Sequence, residues 1–166
     1  KYLMSIKDDL REGIWVSSAP KAKASNHTNY WINNRGIIME DNLELFDSKS
    51  FKLRGQHNLT NLLLVVATAR KIGLNRHSIG NSIKSFKGLA HRLEKIGYIN
   101  GIEVFNDSKA TNFDASVTGI ESIPYPCIVI AGGLIKSGNP SYWLSILNKK
   151  AYAIILFGSD RKKLNE

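Results

Sequence analysis

The period of the apolar residues changes along the chain, and the changes divide it. Up to about residue 54, apolar residues come in short runs separated by turn formers, which is a β pattern. Residues 13–18 are a candidate strand. Tyr30-Trp31-Ile32 and Ile37-Ile38-Met39 flank Asn33-Asn34-Arg35-Gly36, a hairpin signal, and residues 43–46 make a further short strand. Residues 19–28, mostly Lys, Ser, Ala and Asn, read as a surface loop.

From His57 the period becomes helical. Leu59, Leu62, Leu63, Val66 and Ala67 fall on one face of a helix that should end near Gly73. A second helix is expected from about Asn75, with Ile79, Ile83 and Phe86 on one side, and Gly88 marks a boundary. Beyond it the order is strand, helix, strand, helix, strand. Val104 lies in the first strand, and Phe113, Val117 and Ile120 stripe the helix that follows. Residues 128–131 are a continuous apolar run ending in Gly132-Gly133, residues 142–147 read as helix, and residues 154–157 as another buried strand. Continuous rather than alternating apolar strands predict a mostly parallel sheet covered on both faces, hence an α/β fold. The expected division is residues 1–87 and residues 88–166. A new helix should begin after Gly158-Ser159, close to the last residue, and the chain lacks an initiator Met, so a piece of a longer protein is expected.

Composition narrows the class. In 166 residues, 43% apolar content with 22% charged residues describes a folded globular chain, and no apolar run approaches the roughly 20 residues that span a bilayer. The one cysteine, Cys127, excludes an internal disulfide framework and a cysteine-rich zinc site; it reads as a small residue of a buried strand and agrees with a cytoplasmic setting. Twenty-three Lys and Arg against 14 acidic residues give a net charge of +9. These cations are scattered, without a basic helix or an aromatic-interleaved strand, so an anionic small substrate is preferred to nucleic acid and no membrane partner is expected.

Three polar clusters could carry chemistry. Gly55-Gln56-His57-Asn58, with Asn61 one turn on, stands at a helix start: Asn58 either caps that helix or helps to read a base or phosphate. Residues 88–94, Gly-Leu-Ala-His-Arg-Leu-Glu, lie at the domain boundary, where His91 and Arg92 are either a solvated pair or a grip on a nucleotide phosphate. Residues 106–112, Asn-Asp-Ser-Lys-Ala-Thr-Asn, follow a strand and precede a helix, where α/β sheets gather ligands. There Asp107 suits a ribose or metal and Lys109 a phosphate or carboxylate. The structural alternative is helix capping by Asp107 or Ser108. A comparable turn, residues 132–138, follows the next strand and holds Lys136 and Ser137; it is not a Walker A loop.

Taken in order, the motifs at 55–61, 88–94 and 106–112 and the Gly-Gly turn with Lys136-Ser137 resemble the Mur ligases of peptidoglycan synthesis, in particular their D-glutamate-adding branch. The resemblance runs from about residue 50 to 158. It implies the end of a central ATPase domain followed by most of a Rossmann-like C-terminal domain. The implied reaction is ATP-dependent amide formation between UDP-N-acetylmuramoyl-L-alanine and D-glutamate through an acyl phosphate, in a cytoplasmic enzyme that is monomeric as a whole protein. Carried over by motif, Asn58, Asn61 and His91 face adenine, and Arg92 and Asp107 hold ribose and phosphates. Lys109 faces the nucleotide, Arg92 and Lys109 being the groups nearest to catalysis, while Thr111, Lys136 and Ser137 take the D-glutamate carboxylates. The family's Gly-Lys-Thr loop, its Mg2+ ligands and its modified lysine have no counterpart here, so the metal ligands are expected outside this chain and the chain alone should not turn over. The turn at 132–138 also departs from the family pattern ahead of Lys136. A non-catalytic nucleotide- or amino-acid-binding module, or another Mur-type or folylpolyglutamate-type ligase, is the alternative.

Overall fold

A computed structural model describes residues 13–18, 28–134 and 138–165. The chain forms two compact units, residues 1–52 with 56–86, and residues 53–55 with 87–166. The short segment Leu53–Gly55 belongs with the second unit although it precedes the helices of the first.

The first unit is a four-stranded sheet with two helices. β1 (Val16–Ser17) runs parallel to β2 (Tyr30–Ile32), and β2, β3 (Ile37–Glu40) and β4 (Leu43–Asp47) follow as antiparallel neighbours. The expected hairpin at 33–36 is present, with Gly36 at φ 82°, a backbone that glycine adopts without a Cβ clash. Of the candidate strand at 13–18, only two residues pair. All but Thr28 of the loop expected at 19–28 lies outside the described residues.

Helix α1 (Gln56–Lys71) turns Leu62, Leu63, Val66 and Ala67 inward, and α2 (Arg76–Ser85) adds Ile79 and Ile83. These side chains meet Tyr30, Ile32 and Ile38 in one apolar cluster. Gly73, at φ 91°, ends the first helix: its N–H reaches the Arg70 carbonyl and the Leu74 N–H reaches that of Ala69. Asn75 caps the second helix through the Ser78 N–H. At the rim, Glu40 accepts from the Tyr30 hydroxyl at 2.6 Å and from Arg70 Nε at 2.8 Å. Burial, then that bond to Glu40, pushes the Tyr30 hydroxyl pKa well up.

The second unit opens with a β-hairpin, β5 (Glu94–Ile99) paired antiparallel to β6 (Ile102–Asn106). The strand expected around Val104 is therefore present, but among the described residues its partner is a strand that apolar spacing did not announce. Its signal lay in the turn: Asn100-Gly101, at φ 50° and 81°, is the dipeptide for a tight hairpin. Helix α3 (Phe113–Ser122) then leads to β7 (Cys127–Gly132), helix α4 (Ser141–Lys150), β8 (Ala151–Phe157) and a short α5 (Arg161–Asn165). β7 and β8 pair in parallel, as their continuous apolar character predicts.

Val117, Ile120, Trp143, Ile146 and Leu147 of the two helices form the second core, with Cys127, Val129 and Ala131 of β7 packed against it. The other face of β7 differs from the two-sided cover expected: Ile128 and Ile130 are 55% and 68% exposed. Continuous apolar sequence selects a parallel strand, but only packing decides how many faces are covered. Among the described residues, no helix is long and apolar enough to cross a membrane.

Candidate functional site

The second unit brings two of the three polar clusters together. Its hairpin runs from Glu94 directly beside the 88–94 loop to Asn106 at the start of the 106–112 turn, and Glu94 and Asn106 are register partners. The two clusters are thereby brought side by side at the open end of one ladder, away from its Asn100-Gly101 turn.

Backbone conformation around Arg92 is unusual. His91 has φ 64° and Leu93 φ 47°, both in the left-handed region, which costs roughly 1–2 kcal/mol for each non-glycine residue. Hydrogen bonds hold this conformation. The His91 N–H donates to Glu94 Oε2 at 2.8 Å, the Leu93 N–H to Asp107 Oδ1 at 2.9 Å, and the Lys109 N–H to the His91 carbonyl at 3.1 Å. Asn106 completes the set. Its Oδ1 accepts from the Ser108 N–H at 3.0 Å, leaving Nδ2 to donate to His91 Nδ1 at 2.8 Å, which places the imidazole proton on Nε2.

Arg92 and Lys109, each exposed, make no ion pair with any described residue. Two uncommitted cations are thus carried on two mutually bonded loops, a donor set that suits phosphate or carboxylate oxygens. Asp107 is half-buried and points back to the Leu93 amide, while Ser108 is exposed; neither caps the following helix. Asn112 does, accepting from the Ala115 N–H at 2.8 Å. Thr111, exposed, follows a tight turn in which its N–H reaches the Lys109 carbonyl at 2.9 Å.

The remaining candidates are placed differently. Asn58 and Asn61 sit in the first two turns of α1 in the first unit, Asn58 half-buried and Asn61 exposed. Since α1 begins at Gln56, Asn58 lies inside the helix and is not its cap, which corrects the structural alternative for that cluster. Lys136 and Ser137 lie outside the described residues. Just before them Gly133, at φ 114°, meets the loop after β8: its N–H reaches the Phe157 carbonyl and its carbonyl accepts from the Asp160 N–H at 3.3 Å. A Cβ on Gly158 would stand 2.8 Å from the Gly133 nitrogen, so glycine is required where these strand ends approach.

A further cluster escaped the sequence reading. Arg54 grips Glu103 with both terminal nitrogens, at 3.0 and 3.1 Å, and lies 5.2 Å over the Phe105 ring; Lys95 shares Glu103. The bonds from Lys95 and Arg54 hold the Glu103 carboxyl below the usual carboxylate range. These contacts tie Leu53–Gly55 to the hairpin and explain why it belongs to the second unit. Arg54 stands beside a motif and Glu103 inside a strand, so only their pairing signals a role. Among the described residues no three His, Cys, Asp or Glu side chains gather as metal ligands.

The fold and the two bonded loops define an α/β unit that presents cations beside a strand end, and comparison with known proteins shows what the chain is similar to. No protein-family model matches the chain. It is 44% identical over 166 residues to UDP-N-acetylmuramoylalanine--D-glutamate ligase of Prochlorococcus marinus (strain NATL2A), covering 100% of this chain and 35% of that protein. It is 46% identical over 157 residues to the enzyme of the same name from strain MIT 9515, covering 95% and 33%. Among solved structures, UDP-N-acetylmuramate-alanine ligase from Thermotoga maritima matches with a TM-score of 0.44 at 14% identity, covering 91% of this chain and 45% of that one. The chain is thus similar to enzymes named as UDP-N-acetylmuramoylalanine--D-glutamate ligases and spans about a third of the length of those curated relatives.

Proposed function

We propose that this chain is part of an ATP-dependent amide ligase that joins D-glutamate to UDP-N-acetylmuramoyl-L-alanine in peptidoglycan synthesis. The observation that carries the reading is the pair of exposed cations, Arg92 and Lys109, held on mutually bonded loops in a chain 44% identical to a D-glutamate-adding relative. In that reaction ATP supplies a phosphoryl group to the L-alanyl carboxylate. The D-glutamate amine attacks the carbonyl carbon, a C–N bond forms, the C–O bond to phosphate breaks, and the amine gives up its proton. Such chemistry rewards placed cations and a positioned amine more than a nucleophilic side chain.

Within this reading, residues 1–87 are the end of a central ATPase domain and residues 88–166 most of a Rossmann-like C-terminal domain. Asn58, Asn61 and the Nε2–H of His91 serve the adenine, Arg92 the phosphates and Asp107 the ribose side. Lys109 faces the nucleotide, and Thr111, Lys136 and Ser137 take the D-glutamate carboxylates. The Mg2+ ligands of the reaction are read as lying outside this chain. The whole protein is read as a cytoplasmic monomer.

The test is the longer protein that contains this chain. With ATP, Mg2+, UDP-N-acetylmuramoyl-L-alanine and D-glutamate it should release phosphate and yield the dipeptidyl product by mass spectrometry, and omission of any one substrate or use of L-glutamate should abolish product. Absence of D-glutamate ligation by a folded preparation overturns the reading. The isolated 166-residue chain is expected to give no product.

A further inference from the structure

We infer that Asp107, seated against Gly119, is a positioning residue for Arg92, acting through the Leu93 amide. This deepens the ligase reading and rests on it for the nucleotide. Three observations converge. Asp107 Oδ1 accepts the Leu93 N–H at 2.9 Å, and Leu93 is the residue after Arg92 with φ 47°. Gly119 is buried in the middle of α3, where glycine is a poor helix former, so its presence there calls for a reason. That reason is space: a Cβ on Gly119 would overlap Asp107 Oδ2, with Leu93 Cδ1 at 3.8 Å.

The helix face therefore holds a notch for one carboxylate, and the seated carboxylate holds the loop. Glu94 does the same on the other side of Arg92 through the His91 amide. Two strained residues flank the cation, and each has its N–H on a carboxylate oxygen. A guanidinium mounted this way keeps its approach to an anion fixed. Gly119 lies outside all four motifs that carry the family resemblance.

The test uses the 166-residue chain and three variants, D107A, D107N and G119A, with amide hydrogen exchange of Leu93 and titration with ADP. Loss of a bond to a charged acceptor should speed Leu93 exchange roughly tenfold or more in D107A. G119A, which keeps the carboxylate but denies it the notch, should do the same, while Val117 and Ile120 exchange unchanged. D107N retains an acceptor oxygen and should restore most of the Leu93 protection. ADP affinity should follow the same order, weakening about tenfold in D107A and G119A.

Unchanged Leu93 exchange in D107A overturns the inference whatever ADP does, and so does faster exchange with unaltered ADP affinity. If G119A fails to fold, the contrast between D107A and D107N decides alone. A wild-type chain that shows the Leu93 pattern across the variants but no ADP binding supports the seat for Asp107 and counts against the nucleotide reading instead.

Discussion

Lys150 offers the most quantitative test of how the second unit is held together. Its ammonium lies at the C-terminal end of α3, donating to the carbonyls of Ile120 at 3.4 Å, Glu121 at 3.0 Å and Ile123. A helix leaves its last four carbonyls without intrahelical donors, and a cation there also meets the negative end of the helix dipole. The K150M variant keeps most of the side chain's apolar volume and removes the charge. A hydrogen bond to a charged group contributes about 1.5–3 kcal/mol, and the dipole adds roughly 0.3–1 kcal/mol. Against this, ordering a lysine costs about 1.5–2 kcal/mol, and water replaces part of what is lost at the exposed Glu121. With three carbonyls served by one ammonium, the net loss should be about 2 kcal/mol. For a unit of this size that corresponds to a melting shift of roughly 10 °C. Trp143, buried beside α3 and bonded to Ser116, reports unfolding of this unit alone once Trp15 and Trp31 are changed to Phe. A shift below about 2 °C would show that water serves the helix end as well as lysine does, and would refute the reasoning.

Other predictions follow from the same contacts. Leu63→Ala empties a fully buried position in the first unit and should cost about 2–5 kcal/mol in urea unfolding of that unit, with little change in the Trp143 signal. Burial pushes the Cys127 thiol up, and its Sγ lies 3.8 Å from the Lys150 carbonyl, so alkylation by iodoacetamide at pH 8 should be slower than that of an unfolded cysteine. Glu103 has its folded pKa lowered by Lys95 and then Arg54. Its contribution is present above the ordinary glutamate range and is lost as pH falls through the folded value, so acid titration should release Leu53–Gly55, read as faster amide exchange there, and E103Q should remove most of that pH dependence.

Local elements were legible where chemistry is local. The stripe from Leu59 to Ala67 announced α1, Asn75 marked the start of α2, and the apolar runs of β7 and β8 announced parallel strands. The hairpin from Glu94 was missed because its strands do not alternate cleanly, although Asn100-Gly101 carried the signal. Asn58 was weighed as a cap, yet helix boundaries depend on the preceding turn at Gly55, φ 99°, which spacing does not reveal.

The polar clusters divide in the same way. By itself the sequence determined which residue types stand at 88–94 and 106–112, and hence that cations and amides are available at a strand end. It could not tell a capped turn from a bracket, because both use an Asp or Asn acceptor and a backbone amide. Only the tertiary structure decided that Asn112 caps α3 while Asp107 reaches back fourteen residues to Leu93, in a space that Gly119 leaves open. Hydrogen bonds between residues far apart in sequence depend on where the hairpin returns the chain, and that return is a property of the folded unit.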